Sequence, residues 1–287
     1  MRLSKGVVAY LVLSFGLAWG LWEAAFRLGL SPADPLFQLA ILPGAFAPAV
    51  AALIVRAGVT REGFGDAGLR PNLRRTWRYY LLGWLYPLLG VAVLAALALG
   101  LGIARPDLSL QRAATALLGE AAQPIPDLLV LLLPAQLLLN ALLATPLLWG
   151  EEFGWRGYLQ LRLYPGKPLR AAAATGVIWG LWHLPINLRG YNFAGQPLAG
   201  MMVFTVSTVL LSIIFGWLQQ RTGSVWAPSL AHAATNAVGG SLTLLLFYGS
   251  GYPLMIAYVG ILGWVPLGAL AAWIAWRGYP RSVRVEG

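Results

Sequence analysis

Apolar residues follow one another along this chain in long, nearly unbroken runs. They do not alternate as in a half-buried strand, nor form the single stripe of a soluble helix. Eight such runs stand out, at about 6–26, 36–55, 80–101, 127–163, 169–188, 198–218, 225–247 and 254–276. Several approach or exceed the ~20 residues needed to cross a ~30 Å hydrocarbon core. In lipid each must be helical, because an open strand edge would leave backbone groups unpaired. The pattern therefore predicts an all-α fold, a polytopic membrane helix bundle with about eight transmembrane helices. Nothing marks off a soluble domain or a repeat, so 1–287 reads as one integral membrane domain. The run at 127–163 is too long for one straight crossing, at about 55 Å. Pro134 and Pro146 are expected to kink it. A short surface helix is expected around 110–118 in the connection before it.

The polar segments between the runs orient the bundle. If the N-terminus is cytoplasmic, Arg2, Lys5, Arg56, Arg61, Arg70, Arg74, Arg75, Arg78, Arg156, Arg162, Lys167, Arg170, Arg221, Arg277, Arg281 and Arg284 all fall inside. Only Arg27, Arg105, Arg112 and Arg189 fall outside. That split follows the positive-inside rule and predicts that both termini are cytoplasmic, in a multi-pass protein of the cell membrane. The N-terminal run resembles a signal peptide but continues to about residue 26 and precedes further spans, so it reads as an uncleaved first span.

Composition agrees. Of 287 residues, 59% are hydrophobic and 10% charged, where a soluble domain carries about 25% charged residues. The net charge of +10 sits in short inter-span segments facing anionic headgroups, not on one face of a soluble core, which excludes nucleic acid as a partner. The lipid bilayer is the partner that composition itself implies. There are no cysteines, which removes disulfides, thiolate metal sites and cysteine nucleophiles together.

Ionisable groups inside apolar runs are costly and are functional candidates by default. They are Glu23, Glu151, Glu152, Arg156, His183 and His232, with Asn236 one turn beyond the last. Glu151 lies 15 residues before Gly166, and His183 lies 17 after it. Equal distances from the turn of an antiparallel hairpin mean equal depth, so the two side chains can face each other. His232 and Asn236 lie nine and 13 residues beyond the turn at Gly223, roughly 14–20 Å along a helix. Three helices thus converge at one level below the cytoplasmic surface. Glu152 and Arg156 are spaced i,i+4 and can pair, as are His232 and Asn236. Glu151 projects about 100° from Glu152, so the two carboxylates are expected to have different tasks. The plainer readings are a structural ion pair for Glu152–Arg156 and interhelical hydrogen bonding for the histidines. Glu23, near the outer end of its span, reads as interfacial, and Trp149, Trp155, Trp179 and Trp182 fit interfacial aromatics.

These residues carry a resemblance. Glu151-Glu152-Phe153-Gly154-Trp155-Arg156 resembles the EExxxR motif of the CPBP intramembrane protease family, which includes the type II CAAX prenyl endopeptidases (Rce1-like) and Abi-type and bacteriocin-immunity proteins. Trp179 to His183 resembles its FxxxH motif, with Trp179 in the Phe position, and His232 to Asn236 resembles its HxxxN motif. The likeness covers roughly 60–250. It implies an intramembrane endopeptidase in which Glu151 is the general base activating a water and His183 helps to bind that water. His232 and Asn236 would then stabilise the oxyanion, with Glu152 and Arg156 in support. The implied substrate is a peptide or protein, prenylated or membrane-bound.

Peptide hydrolysis needs a nucleophile, a base and oxyanion donors. Without cysteine, and without a Gly-x-Ser-Gly arrangement, activated water is the remaining nucleophile. No cofactor is required for a glutamate-based mechanism. A divalent metal such as zinc on Glu151, His183 and His232 is the other reading, although there is no His-Glu-x-x-His helix. Two functions of other classes stand beside these: a non-proteolytic scaffold or immunity protein of the same fold, and a proton-coupled transporter using the buried carboxylates.

Overall fold

The computed structural model describes residues 3–32, 34 and 36–279. Arg2, Arg281 and Arg284, which the orientation argument used, lie outside the described residues. Those residues form an all-helical structure of eleven helices, with adjoining α- and π-helical turns counted as one. Five are long and apolar enough to cross a membrane: α1 (Lys5–Arg27), α2 (Phe37–Thr60), α3 (Leu73–Gly100), α5 (Asp127–Arg162) and α8 (Pro197–Thr222). The others are α4 (Gln111–Leu118), α6 (Pro168–Trp182), α7 (Leu184–Asn187), α9 (226–246), α10 (Pro253–Ile256) and α11 (Trp264–Arg277). The chain is a multi-pass membrane protein by these helices, and the short α4 stands where the sequence placed it.

Helix ends follow local chemistry. The Ser4 hydroxyl caps α1 by accepting from the Val7 N–H at 3.2 Å, which satisfies one of the orphan donors of the first turn. Pro168 and Pro197 open α6 and α8, where a missing N–H costs nothing. At the end of α8, Gly223 adopts φ +63° and its N–H bonds the Gln219 carbonyl, a left-handed cap that suits glycine.

Two expected spans are interrupted. The run at 169–188 divides at His183 into α6, of 15 residues, and the four-residue α7. Pro185 has no N–H with which to continue the ladder, and His183 takes up φ −76°, ψ 1° between the two helices. The run at 254–276 divides into α10 and α11 around a tight turn in which the Gly260 N–H bonds the Ala257 carbonyl.

Polarity is arranged inside out, as a bilayer requires. Leu128, Leu131, Leu139 and Leu143 of α5 point outward, while Arg56, Glu152 and Arg156 are fully buried. Small residues let helices approach closely at the core. A Cβ on Gly176 of α6 would fall 2.5 Å from the Val209 Cα of α8, and one on Gly154 of α5 would fall 2.4 Å from Pro48 of α2. Such contacts replace the hydrophobic drive that lipid cannot supply. α8 packs on α6 and α9 packs on α5. Those two pairings carry the three sequence motifs.

Candidate active site

Glu151 and Glu152 lie in the α-helical turn of α5 just before a π-helical stretch at Trp155–Leu159 that contains Arg156. A second π-helical stretch beside the motifs, Thr235–Leu242, follows His232 in α9 and contains Asn236, and a third, Val55–Thr60, ends α2. Such turns cluster at functional positions because they change which residues share a face. Here the first two interrupt a helix directly beside a polar motif.

The two carboxylates differ as their spacing predicted. Glu152 is fully buried, and its Oε1 accepts from Arg156 Nη1 at 2.9 Å and pairs with His232 Nδ1 at 3.0 Å. The Arg156 side chain is also fully buried, with its guanidinium 4.9 Å from the Trp179 ring centre and 5.3 Å from that of Phe215. Such a pair holds together because each charge compensates the other out of water. Glu151 is 6% exposed and among the described residues has a single donor, the Trp179 indole Nε1, at 2.7 Å from its Oε2.

Hydrogen bonding also fixes the histidine rings. His183 Nδ1 lies 2.8 Å from the Trp179 carbonyl. A carbonyl only accepts, so Nδ1 carries a proton and a neutral ring leaves Nε2 as an acceptor. His232 is 4% exposed, with Nδ1 engaged by Glu152, so its Nε2 is likewise the free atom. Trp179 adjoins both histidines, its ring centre 5.9 Å from that of His183 and 5.1 Å from that of His232.

Asn236 is exposed and stands outside this hydrogen-bonded cluster. Its neighbour Thr235 bonds the Ala231 carbonyl at 2.8 Å and the Tyr86 hydroxyl of α3, which ties the second π-helical stretch to a third helix. Glu23 pairs with Arg189 at 2.8 Å, both about two-fifths exposed, and takes no part in the site. Trp155, Trp179 and Trp182 are buried in the core, which corrects their reading as interfacial aromatics. Trp155 and Trp182 meet edge to face at 5.6 Å. A surface hollow of about 610 Å³ lined by Arg105, Asp107, Arg112 and Ser250 contains none of the candidate residues.

The metal reading fits this arrangement poorly. Among the described residues no group of three or more His, Cys, Asp or Glu side chains is placed to hold an ion. Trp179 and Glu152 each hold one atom of Glu151 and His232, which leaves Glu151 Oε1 and Nε2 of both histidines to meet an ion, and these are not grouped to do so.

Sequence reasoning missed Trp179 as a polar partner and Arg56 as a buried charge. Trp179 lies one turn before His183, a spacing that puts both on one face. Arg56 sits at the edge of an apolar run and reads from sequence as a loop cation.

Six polar residues on three motifs are now placed, five of them clustered about α5. Residues 127–238 match the family described as type II CAAX prenyl endopeptidase, Rce1-like. That stretch includes Glu151, Glu152, Arg156, His183, His232 and Asn236 and lies within the span over which the motifs showed the likeness. A comparison with curated proteins finds no match. The Rce1-like domain implies an enzyme of the CAAX protease family acting on protein substrates.

Proposed function

We propose that the Rce1-like domain is an intramembrane endopeptidase in which Glu151 activates a water against a peptide carbonyl. The observation that carries this reading is the unequal partnership of the two buried carboxylates. Glu152 bonds Arg156 and His232 through Oε1 alone, and its Oε2 is buried from solvent with no partner among the described residues, so it is poorly placed to take a proton from water. Glu151, held by one indole N–H, keeps lone pairs for a water proton, the requirement for a general base.

The steps follow from the atoms available. Water bound between Glu151 and His183 Nε2 gives a proton to Glu151 as its oxygen attacks the scissile carbonyl. The carbonyl oxygen becomes an oxyanion, which needs donors already in place. The resemblance assigns one such donor to the Asn236 amide, which is exposed and stands apart from the hydrogen-bonded cluster. His232 can donate from Nε2 while Nδ1 faces Glu152 only as the protonated ring, whose charge Glu152 balances. The proton on Glu151 then passes to the leaving amine as the C–N bond breaks. No step is routed through a metal.

The same reading includes a membrane arrangement with about eight crossings, both termini cytoplasmic, in the cell membrane, with the site open to the cytoplasm. It takes 1–287 as one domain and a peptide or protein, prenylated or membrane-bound, as substrate. The test is Glu151→Gln in proteoliposomes with a membrane-anchored peptide reporter. The amide is nearly isosteric but cannot accept the proton, so cleavage should fall by about 10²-fold or more with the fold retained. An unchanged rate would sink the assignment of Glu151 as base, and a wild type that cleaves no reporter would leave the scaffold reading standing.

A further inference from the structure

Trp179 touches four residues of the proposed site: Glu151, His183, His232 and Arg156. Its indole N–H donates to Glu151 Oε2 at 2.7 Å, and its carbonyl accepts from His183 Nδ1 at 2.8 Å. Its ring meets His232 edge to face at 5.1 Å, and the Arg156 guanidinium lies over it at 4.9 Å. The residue is 2% exposed, so these contacts do not compete with water. A glutamate side chain has three rotatable bonds, and Glu151 has no other donor among the described residues to select one rotamer. A hydrogen bond to an ionised carboxylate is shorter and stronger than one between neutral groups. The indole N–H therefore decides which oxygen of Glu151 remains free for water.

We propose that Trp179 is a positioning residue that aims Glu151 through its indole N–H, a task phenylalanine at this position could not perform. This deepens the proposed function and rests on it. The resembled motif carries Phe here, so a ring without the donor fits the fold. The expected behaviour is specific. Trp179→Phe should keep its thermal midpoint within a few degrees and its KM within about twofold, while kcat drops by about tenfold, the size of one hydrogen bond to a charged group. Replacing Trp179 by 3-benzothienylalanine, which keeps the bicyclic shape and loses only the N–H, should give the same drop. Packing alone predicts otherwise: the analogue would then match wild type, and the Phe variant would lose stability instead.

Glu151→Gln is measured beside them. If it keeps wild-type cleavage, the proposed function fails. If it is inactive while the benzothienyl protein has wild-type kcat, the positioning role alone fails. A readout independent of turnover completes the test. The Trp179 indole N–H resonance, assigned by its absence in Trp179→Phe, should move upfield in Glu151→Leu and stay in place in Glu23→Gln. A resonance unmoved by Glu151→Leu would overturn the inference whatever the kinetics show.

Discussion

His232 Nδ1 shares one oxygen, Glu152 Oε1, with the guanidinium of Arg156. One buried carboxylate thus balances a permanent cation from its own helix and orients an imidazole from another. On the proposed mechanism Glu152 has both a structural and a functional part, and the two are separable. Glu152→Gln leaves Arg156 buried without its counter-charge, which should cost about 3–5 kcal/mol and show as a fall in thermal midpoint and yield. Adding Arg156→Met removes the stranded charge and should recover most of that stability. Cleavage should not recover, because His232 still lacks the carboxylate. A double variant that is both stable and fully active would show that Glu152 serves the fold alone.

Topology can be read by thiol labelling, since the native chain contributes no cysteine. Gly65 lies exposed in the connection between α2 and α3, and Glu120 lies exposed beyond α4. With the N-terminus cytoplasmic, a Gly65→Cys protein should react with an impermeant reagent only in inverted vesicles. A Glu120→Cys protein should react only in intact cells. Labelling of both from one side would overturn the orientation drawn from the arginines.

The long helices were legible because crossing lipid leaves so little choice: runs of about 20 apolar residues must be helical. The pairing of Glu152 with Arg156 was legible for a local reason, the i,i+4 spacing. The different partners of the two carboxylates followed from their angular separation. What period and depth could not show is bonding between distant segments. The Trp179–Glu151 hydrogen bond joins positions 28 apart, and the His232–Glu152 contact joins positions 80 apart. The π-helical stretches also escaped, because a single extra residue per turn leaves no mark on an apolar pattern. That is why His232 and Asn236, predicted to project together, differ in the structure, one buried and one exposed. The break at His183 was marked in sequence by Pro185 and obscured by the apolar residues on both sides.

Arg56 provides the last test. Its guanidinium is fully buried and donates to the Gly157 carbonyl at 2.9 Å and the Gly63 carbonyl at 2.5 Å, with Asp66 at 2.8 Å. Gly157 directly follows Arg156 in the first π-helical stretch, so this one fork joins the end of α2, the 61–67 loop and the helix bearing the carboxylates. Lysine keeps the charge but is a point donor and cannot span three acceptors. Arg56→Lys should therefore strand buried carbonyls, each costing roughly 1–3 kcal/mol, and lower the thermal midpoint while making the 61–67 loop more susceptible to proteolysis. Asp66 behaves differently because its side chain is 52% exposed and water can replace its partner. Asp66→Asn should cost less than about 1 kcal/mol. The contrast identifies the source of the stability. If Asp66→Asn proves as damaging as Arg56→Lys, the ion pair and not the grip on the Gly157 carbonyl holds the loop against α5.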